Sequence, residues 1–167
     1  MNRRAAPDKA LVAAIGNPDR GDDGVAALVA RRLAGRLPEG VGLVVRSADL
    51  VSLIDAFAGL DALLCVDAVA PIAAPGRIHR IDVSLKDLPR EILPVSSHAC
   101  GLSETLALAR TLGTLPGKAI VYGIEGLDFG VGAPMTPAVA AAAEEAADRI
   151  LAEFSKGSPG GHAAVSP

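Results

Sequence analysis

Short apolar runs recur along the chain and are separated by amphipathic segments. The runs at 10–15, 42–46, 62–66 and 119–124 predict strands, and 62–66 is apolar throughout, as in a central strand buried on both faces. Residues 77–83 alternate polar and apolar side chains, which predicts a half-exposed strand at the edge of the sheet. The chain therefore contains five predicted strands.

Apolar positions with a helical period lie between these strands. They predict helices over 22–37, 49–58, 96–112 and 136–154. Strands that alternate with helices form an α/β fold, here a three-layer, doubly wound, mostly parallel twisted sheet with helices on both faces. The ligand site of such a fold lies at the carboxyl ends of the strands.

Composition agrees with one domain. The chain has 167 residues, half of them apolar, but only three Phe, one Tyr and no Trp, so Ala, Val, Leu and Ile must fill the core. We expect a flexible N-terminus over 1–9, a single α/β domain over 10–154, and a disordered tail rich in Ser, Gly and Pro over 155–167.

Charge and cysteine content exclude several classes of protein. A formal net charge of −3 argues against binding nucleic acid. Cys65 and Cys100 are too few for a disulfide framework, and no apolar run approaches the ~20 residues of a membrane span. We therefore expect a cytoplasmic monomer that binds neither nucleic acid nor a membrane.

Candidate chemistry lies where the predicted strands end. Asp22 and Asp23 follow the first strand, Asp67 follows the third, and His98 begins a predicted helix. Two carboxylates and one imidazole, Asp23, Asp67 and His98, would form an open divalent-metal site with positions left for water or substrate. The positive end of a helix would keep Asp23 ionised and His98 neutral, and a cation would offset the cost of burying Asp67.

Each of these residues also has a simpler interpretation. Asp22 or Asp23 could cap a helix, Asp67 could begin a turn, and His98 could be a cap or a surface residue. Glu125 could line the crevice beyond the last strand. His79, on the polar face of an edge strand, is expected to be solvated.

Four motifs, taken in order, resemble the [NiFe]-hydrogenase maturation proteases. They are GNPDRGDDGV at 16–25, DAV at 67–69, SSHACGL at 96–102 and YGIEG at 122–126. The resemblance extends from about Leu11 to Phe154. It implies a mostly parallel five-stranded sheet between helices.

The resemblance also implies an activity. Members of this family are endopeptidases that remove the C-terminal extension of the hydrogenase large-subunit precursor after nickel insertion. The family's metal ligands match Asp23, Asp67 and His98, which would then be both the metal-binding and the catalytic residues. The metal would be nickel, supplied by the precursor, and the precursor would be the partner.

Two departures from the family pattern leave the identity of the substrate open. A glycine-rich stretch after the second strand is replaced by 45–49, which lacks glycine, and the glycine expected two residues after Gly24 is Ala26. The first-motif acid, often Glu in relatives, is Asp23 here. Three alternatives also stay open. They are a non-catalytic nickel-binding maturation chaperone, a peptidyl-tRNA hydrolase-like esterase, and a thiol hydrolase using Cys100.

Overall fold

A computed structural model describes residues 9–92 and 101–155 of the chain. Its elements, in order, are β1 (Ala10–Ile15), α1 (Val25–Leu33), β2 (Val41–Arg46), α2 (Ile54–Phe57), β3 (Ala62–Val69), β4 (Ile78–Asp82), α3 (Leu102–Leu112), β5 (Lys118–Glu125) and α4 (Pro137–Ser155). Single 3₁₀ turns at Gly21–Gly24 and Leu50–Leu53 precede α1 and α2. Within the described ranges, no helix is long and apolar enough to cross a bilayer.

The five strands form one sheet in the order β2-β1-β3-β5-β4. All neighbours are parallel except β4, which runs antiparallel to β5 at the edge. The predicted α/β class and the mostly parallel five-stranded sheet are therefore confirmed. The carboxyl ends of β1, β3 and β5 lie at the same end of the sheet, and we call this end the carboxyl edge.

Alternate residues of the central strands enter two separate cores. On one face, Val12, Leu64 and Tyr122 pack against α1 and α4. On the other face, Leu63, Cys65 and Val121 pack against α2 and α3. Burying a Val or Leu side chain stabilises a fold by roughly 1.5–3 kcal/mol, so these two layers hold the sheet rigid beneath the carboxyl edge.

The element bounds differ from the sequence predictions by several residues at four places. The helix predicted over 96–112 begins at Leu102, because its N-cap residue Gly101 is extended. β3 continues to Val69, so Asp67 lies inside the strand rather than after it. The first helix ends at Leu33, not near Leu37, because Ala34 leaves helical geometry and Gly35 turns the chain with a φ of 76°. The helix predicted over 49–58 is a 3₁₀ turn followed by the four residues of α2.

A buried carboxylate joins α4 to the edge of the sheet. Glu153 Oε1 accepts hydrogen bonds from Arg80 Nε at 2.5 Å and the Tyr122 hydroxyl at 2.6 Å, and Lys118 Nζ lies 3.1 Å from Oε2. Burial alone would raise the pKa of Glu153, but the hydrogen bonds from Arg80, Tyr122 and Lys118 lower it to about 2. Glu153 is thus an ionised group that fixes the antiparallel strand β4 to the fold.

Candidate active site at the carboxyl edge

Asp23 and Asp67 lie together at the ends of adjacent strands. Asp67 of β3 pairs in register with Ile15, the last residue of β1. Two residues further on, the backbone N–H of Asn17 donates a hydrogen bond of 2.8 Å to Asp23 Oδ2. Asp23 is 5% exposed and Asp67 2% exposed, so both carboxyl groups are withdrawn from bulk water.

The charge of Asp23 acts on Asp67. Burial raises the pKa of Asp67 well above its usual value, the negative charge of Asp23 raises it further, and a hydrogen bond from the Ala68 backbone only partly opposes them. A proton or a cation beside Asp67 would offset the charge of two carboxylates in one buried site. Divalent metal ions are the cations that paired carboxylates bind.

Asp22, the neighbour of Asp23, accepts hydrogen bonds from residues between β5 and α4. Its Oδ2 accepts the Leu127 N–H at 2.8 Å and the Asp128 N–H at 3.1 Å, and its Oδ1 accepts the Thr136 N–H at 2.6 Å. Burial opposes ionisation of Asp22, but these hydrogen bonds outweigh it and lower the pKa. Asp22 therefore holds the loop after β5 and does not cap the adjacent helix.

Gly16 allows the first loop to fold tightly enough to bring Asp23 to β1. Its φ is 149°, and a Cβ at this position would lie 2.1 Å from the backbone oxygen of Asp23. Any side chain at residue 16 would therefore push the Asp23 backbone away from the strand end. The Gly-Asn-Pro sequence after β1 thus has a direct role in forming the site.

Glu125 and His79 form a second polar contact at the same edge. Glu125 Oε2 accepts the backbone N–H groups of Ile72, Ala73 and Ala74 at 2.8–3.0 Å, and Oε1 lies 2.7 Å from His79 Nε2. Burial would raise the pKa of Glu125, but the bonds from His79 and the three N–H groups lower it to about 2. The expectation that His79 is solvated is wrong, because the end of β5 covers its ring.

Gly123 places Asp67 and His79 in one row across the sheet. Asp67 and His79 are both register partners of Gly123, from β3 and β4 respectively. A Cβ on Gly123 would lie 3.0 Å from Val69 Cγ1 and 3.7 Å from Ile92 Cγ2. The absence of a side chain at Gly123 therefore leaves room for the side chains of Val69 and Ile92. Ile92 thereby brings the chain back to the row that contains Asp67.

His98 and Cys100 lie outside the described residues, as do both terminal tails. Within 9–92 and 101–155, no group of three or more His, Cys, Asp or Glu side chains is placed to hold a metal ion. Asp23 and Asp67, two of the three predicted ligands, lie in the described part of the chain, and the metal site as a whole remains a prediction. Burial and the charge of Asp67 raise the pKa of Cys65 to about 12, so Cys65 is a core thiol.

Comparison with known proteins identifies the family. The family model for the HycI hydrogenase maturation proteases matches residues 33–153. The chain belongs to the hydrogenase maturation protease family. The matched region contains Asp67 and His98 but begins after Asp23. No curated protein sequence matches the chain.

Solved structures of hydrogenase maturation proteases have the same fold. The maturating endopeptidase HybD of E. coli is 24% identical with a TM-score of 0.74, covering 89% of this chain and 93% of that one. An endopeptidase from Escherichia coli solved in solution is 25% identical with a TM-score of 0.75 and the same coverages. HycI from Thermococcus kodakarensis KOD1 is 22% identical with a TM-score of 0.71, covering 89% and 94%.

Membership of the hydrogenase maturation proteases makes the chain an endopeptidase by family and confirms the resemblance found in the sequence. It also favours a protease over the peptidyl-tRNA hydrolase-like alternative.

The segment that lacks the family's glycines ends at Asp49, which has a φ of 53° and is the one non-glycine residue with positive φ in the described ranges. Its side chain accepts the Ser52 N–H at 3.4 Å, so Asp49 supports a turn of the kind that glycine favours.

Proposed function

We propose that this maturation protease removes the C-terminal extension of a [NiFe]-hydrogenase large-subunit precursor once nickel has been inserted. The observation that carries the proposal is the buried pair Asp23 and Asp67 at the carboxyl edge. Burial and the charge of Asp23 make the ionised form of Asp67 costly, and a cation brought to the pair removes that cost. A precursor without metal brings no such cation, so cleavage would follow nickel loading.

His98 is the proposed third ligand. Gly101 is the N-cap of α3, and Leu102 and Leu106 of that helix pack on the same face of the sheet as Leu63 and Cys65. Strict alternation along β3 puts Asp67 on this face too. Because α3 ends near the start of β5, its N-terminus points towards the carboxyl edge, and His98 precedes Gly101 by three residues.

The precursor supplies nickel as part of the substrate in this proposal. Asp23, Asp67 and His98 would contact it with two oxygen ligands and one nitrogen ligand, a mixed set that suits a first-row divalent ion. Nickel held there can polarise the scissile carbonyl, activate a water molecule, or serve for recognition alone. The partner is therefore the large-subunit precursor, while the monomeric state and the cytoplasmic location stay predictions.

The test compares nickel-loaded and nickel-free precursor incubated with this chain, with products weighed by mass spectrometry. We expect only the loaded precursor to lose its extension, and Asp67→Asn to abolish the loss. Asp61→Asn is the matched control, because Asp61 is exposed and stands just before the opposite end of the same strand. A change in nickel content with no change in precursor length would instead establish the chaperone alternative.

A further inference from the structure

Three exposed apolar side chains stand in the loops of the carboxyl edge. Ile72 is 50% exposed, Leu127 59% and Val131 85%. We call these three residues the apolar rim. Ile72 lies between β3 and β4, and the other two lie between β5 and α4. Exposed apolar residues that gather around a site mark surfaces for macromolecular contact.

Long-range hydrogen bonds hold the backbone of the apolar rim in place. Glu125 accepts the N–H of Ile72, and Asp22 accepts the N–H of Leu127. Val131 precedes Gly132, whose N–H donates a 2.7 Å bond to the Asp19 carbonyl in the loop that carries Asp23. A surface ordered before binding loses little conformational entropy when a partner docks.

The apolar rim is continuous with the candidate active site. β3 runs from Asp67 through Val69 into the loop that bears Ile72, and the Gly126 N–H donates a 3.0 Å bond to the Val69 carbonyl. Leu127 follows Gly126 directly. Ile72 and Leu127 therefore flank the carboxyl end of the strand that carries Asp67, and a macromolecule docked over this strand end would meet both.

We infer that the apolar rim docks the folded surface of the hydrogenase precursor around its nickel, an inference that rests on the proposed function. The exposed carboxylate of Asp128 lies in the loop that carries Leu127, and that of Asp19 lies in the neighbouring loop after β1, while the exposed Arg77 lies in the loop that carries Ile72. The matching precursor surface is accordingly apolar at its centre and basic where it meets Asp19 and Asp128. The rim thus recognises a folded protein surface, whereas Asp23 and Asp67 recognise the metal.

The experiment uses Ile72→Lys and Leu127→Lys, with Leu85→Lys as control. Leu85 is 95% exposed and follows β4 at the opposite edge, where the Val83 N–H bonds to the Ala119 carbonyl. For nickel-loaded precursor we expect the rim variants to raise KM and Kd at least tenfold, with kcat within about threefold. We expect Leu85→Lys to stay within about twofold, and all three variants to melt at the wild-type temperature.

The outcomes separate this inference from the proposed function. Wild-type KM and Kd in both rim variants, while the wild-type chain cleaves the precursor, would overturn the docking inference alone. A wild-type chain that binds the loaded precursor without shortening it would overturn the proposed endopeptidase. The docking inference would then stand if the Kd of the two rim variants rises at least tenfold and fall if their Kd equals that of the wild type. A wild-type chain that does not bind the loaded precursor would overturn both.

Discussion

Asp22 Oδ1 accepts the Thr136 backbone N–H at 2.6 Å, across 114 residues of sequence. The Thr136 hydroxyl also donates to Asp22 Oδ2, at 2.7 Å. The two neighbouring acids therefore have different roles. Asp22 links the first loop to the loop after β5 by hydrogen bonds, whereas the charge of Asp23 acts on Asp67. This division makes the two residues separable by mutation.

Asp22→Ala should destabilise the fold. It leaves the N–H groups of Leu127, Asp128 and Thr136 without their acceptor, and we expect the free energy of unfolding to fall by about 3 kcal/mol. Urea denaturation followed by circular dichroism measures the loss. Asp55→Ala, an exposed acid in the first turn of α2, should change it by less than about 0.5 kcal/mol. Equal urea midpoints for Asp22→Ala and Asp55→Ala would contradict the stabilising role of the Asp22 hydrogen bonds.

Asp67→Asn should have the opposite effect on stability while abolishing activity. The folded pKa of Asp67 lies above its ordinary value of 3.8, so ionising it costs folding free energy as pH rises through the folded pKa, and this cost is absent below 3.8. The metal-free variant should therefore melt higher than wild type near pH 7, with the difference vanishing in acid. Its kcat/KM should fall by more than about 100-fold, beyond the loss from a supporting ligand contact.

Calorimetry across pH 3–8 and a precursor-cleavage assay check this pair of effects. Asp61→Asn, which changes an exposed carboxylate, should leave both the melting temperature and the cleavage rate near wild type. An Asp67→Asn protein that is less stable than wild type at pH 7 would show that ionised Asp67 does not lower the stability of the fold.

Glu125→Gln should flatten part of the acid denaturation of the protein. The pKa of Glu125 is about 2 in the fold against an ordinary 4.5, so its stabilisation is complete above pH 4.5 and is lost as pH falls from 4.5 towards 2. The variant should be less stable at pH 7 by about 1–3 kcal/mol, because its N–H donors lose a charged acceptor. Urea midpoints at pH 7 and pH 3 measure the difference, which should shrink in acid. A difference that is constant with pH would mean that Glu125 is not ionised.

Gly16→Ala should damage the site through the backbone. The added Cβ would meet the Asp23 carbonyl oxygen at 2.1 Å, so the first loop has to move and take Asp23 with it. We expect a loss of about 2–4 kcal/mol in unfolding free energy and little remaining cleavage. Gly117→Ala is the matched control, since nothing lies within 4 Å of a Cβ there. A fully active Gly16→Ala protein would rule out the tight turn.

The sequence predicted the sheet well because its signals are local. Apolar runs marked β1, β3 and β5, and strict alternation marked β4 as an edge strand, which is where it lies. The length of β3 was missed because Asp67 is a polar residue inside a buried strand, and a polar residue usually signals the end of one. The pairing of residues 67–69 with Gly123, Ile124 and Glu125 of β5 shows that the strand continues.

The sequence predicted that Asp23 and Asp67 would lie near the carboxyl ends of the strands, but it did not predict the hydrogen bonds around them. Nothing local distinguishes Asp22 from Asp23, because the partners of Asp22 arrive from the loop after β5. Likewise, His79 and Glu125 are 46 residues apart, and a polar position on an alternating strand does not reveal its partner. Long-range hydrogen bonds of this kind follow from the topology, which a single sequence does not display.

The reversed direction of β4 has a consequence for how such proteases diverge. Because β4 is antiparallel to β5, the chain leaves β3 and re-enters the sheet at the same edge through a short connection, with no crossover helix. That connection carries Ile72, but it contains neither Asp23 nor Asp67. Insertions or replacements there would change the surface that carries Ile72 and leave Asp23 and Asp67 in place.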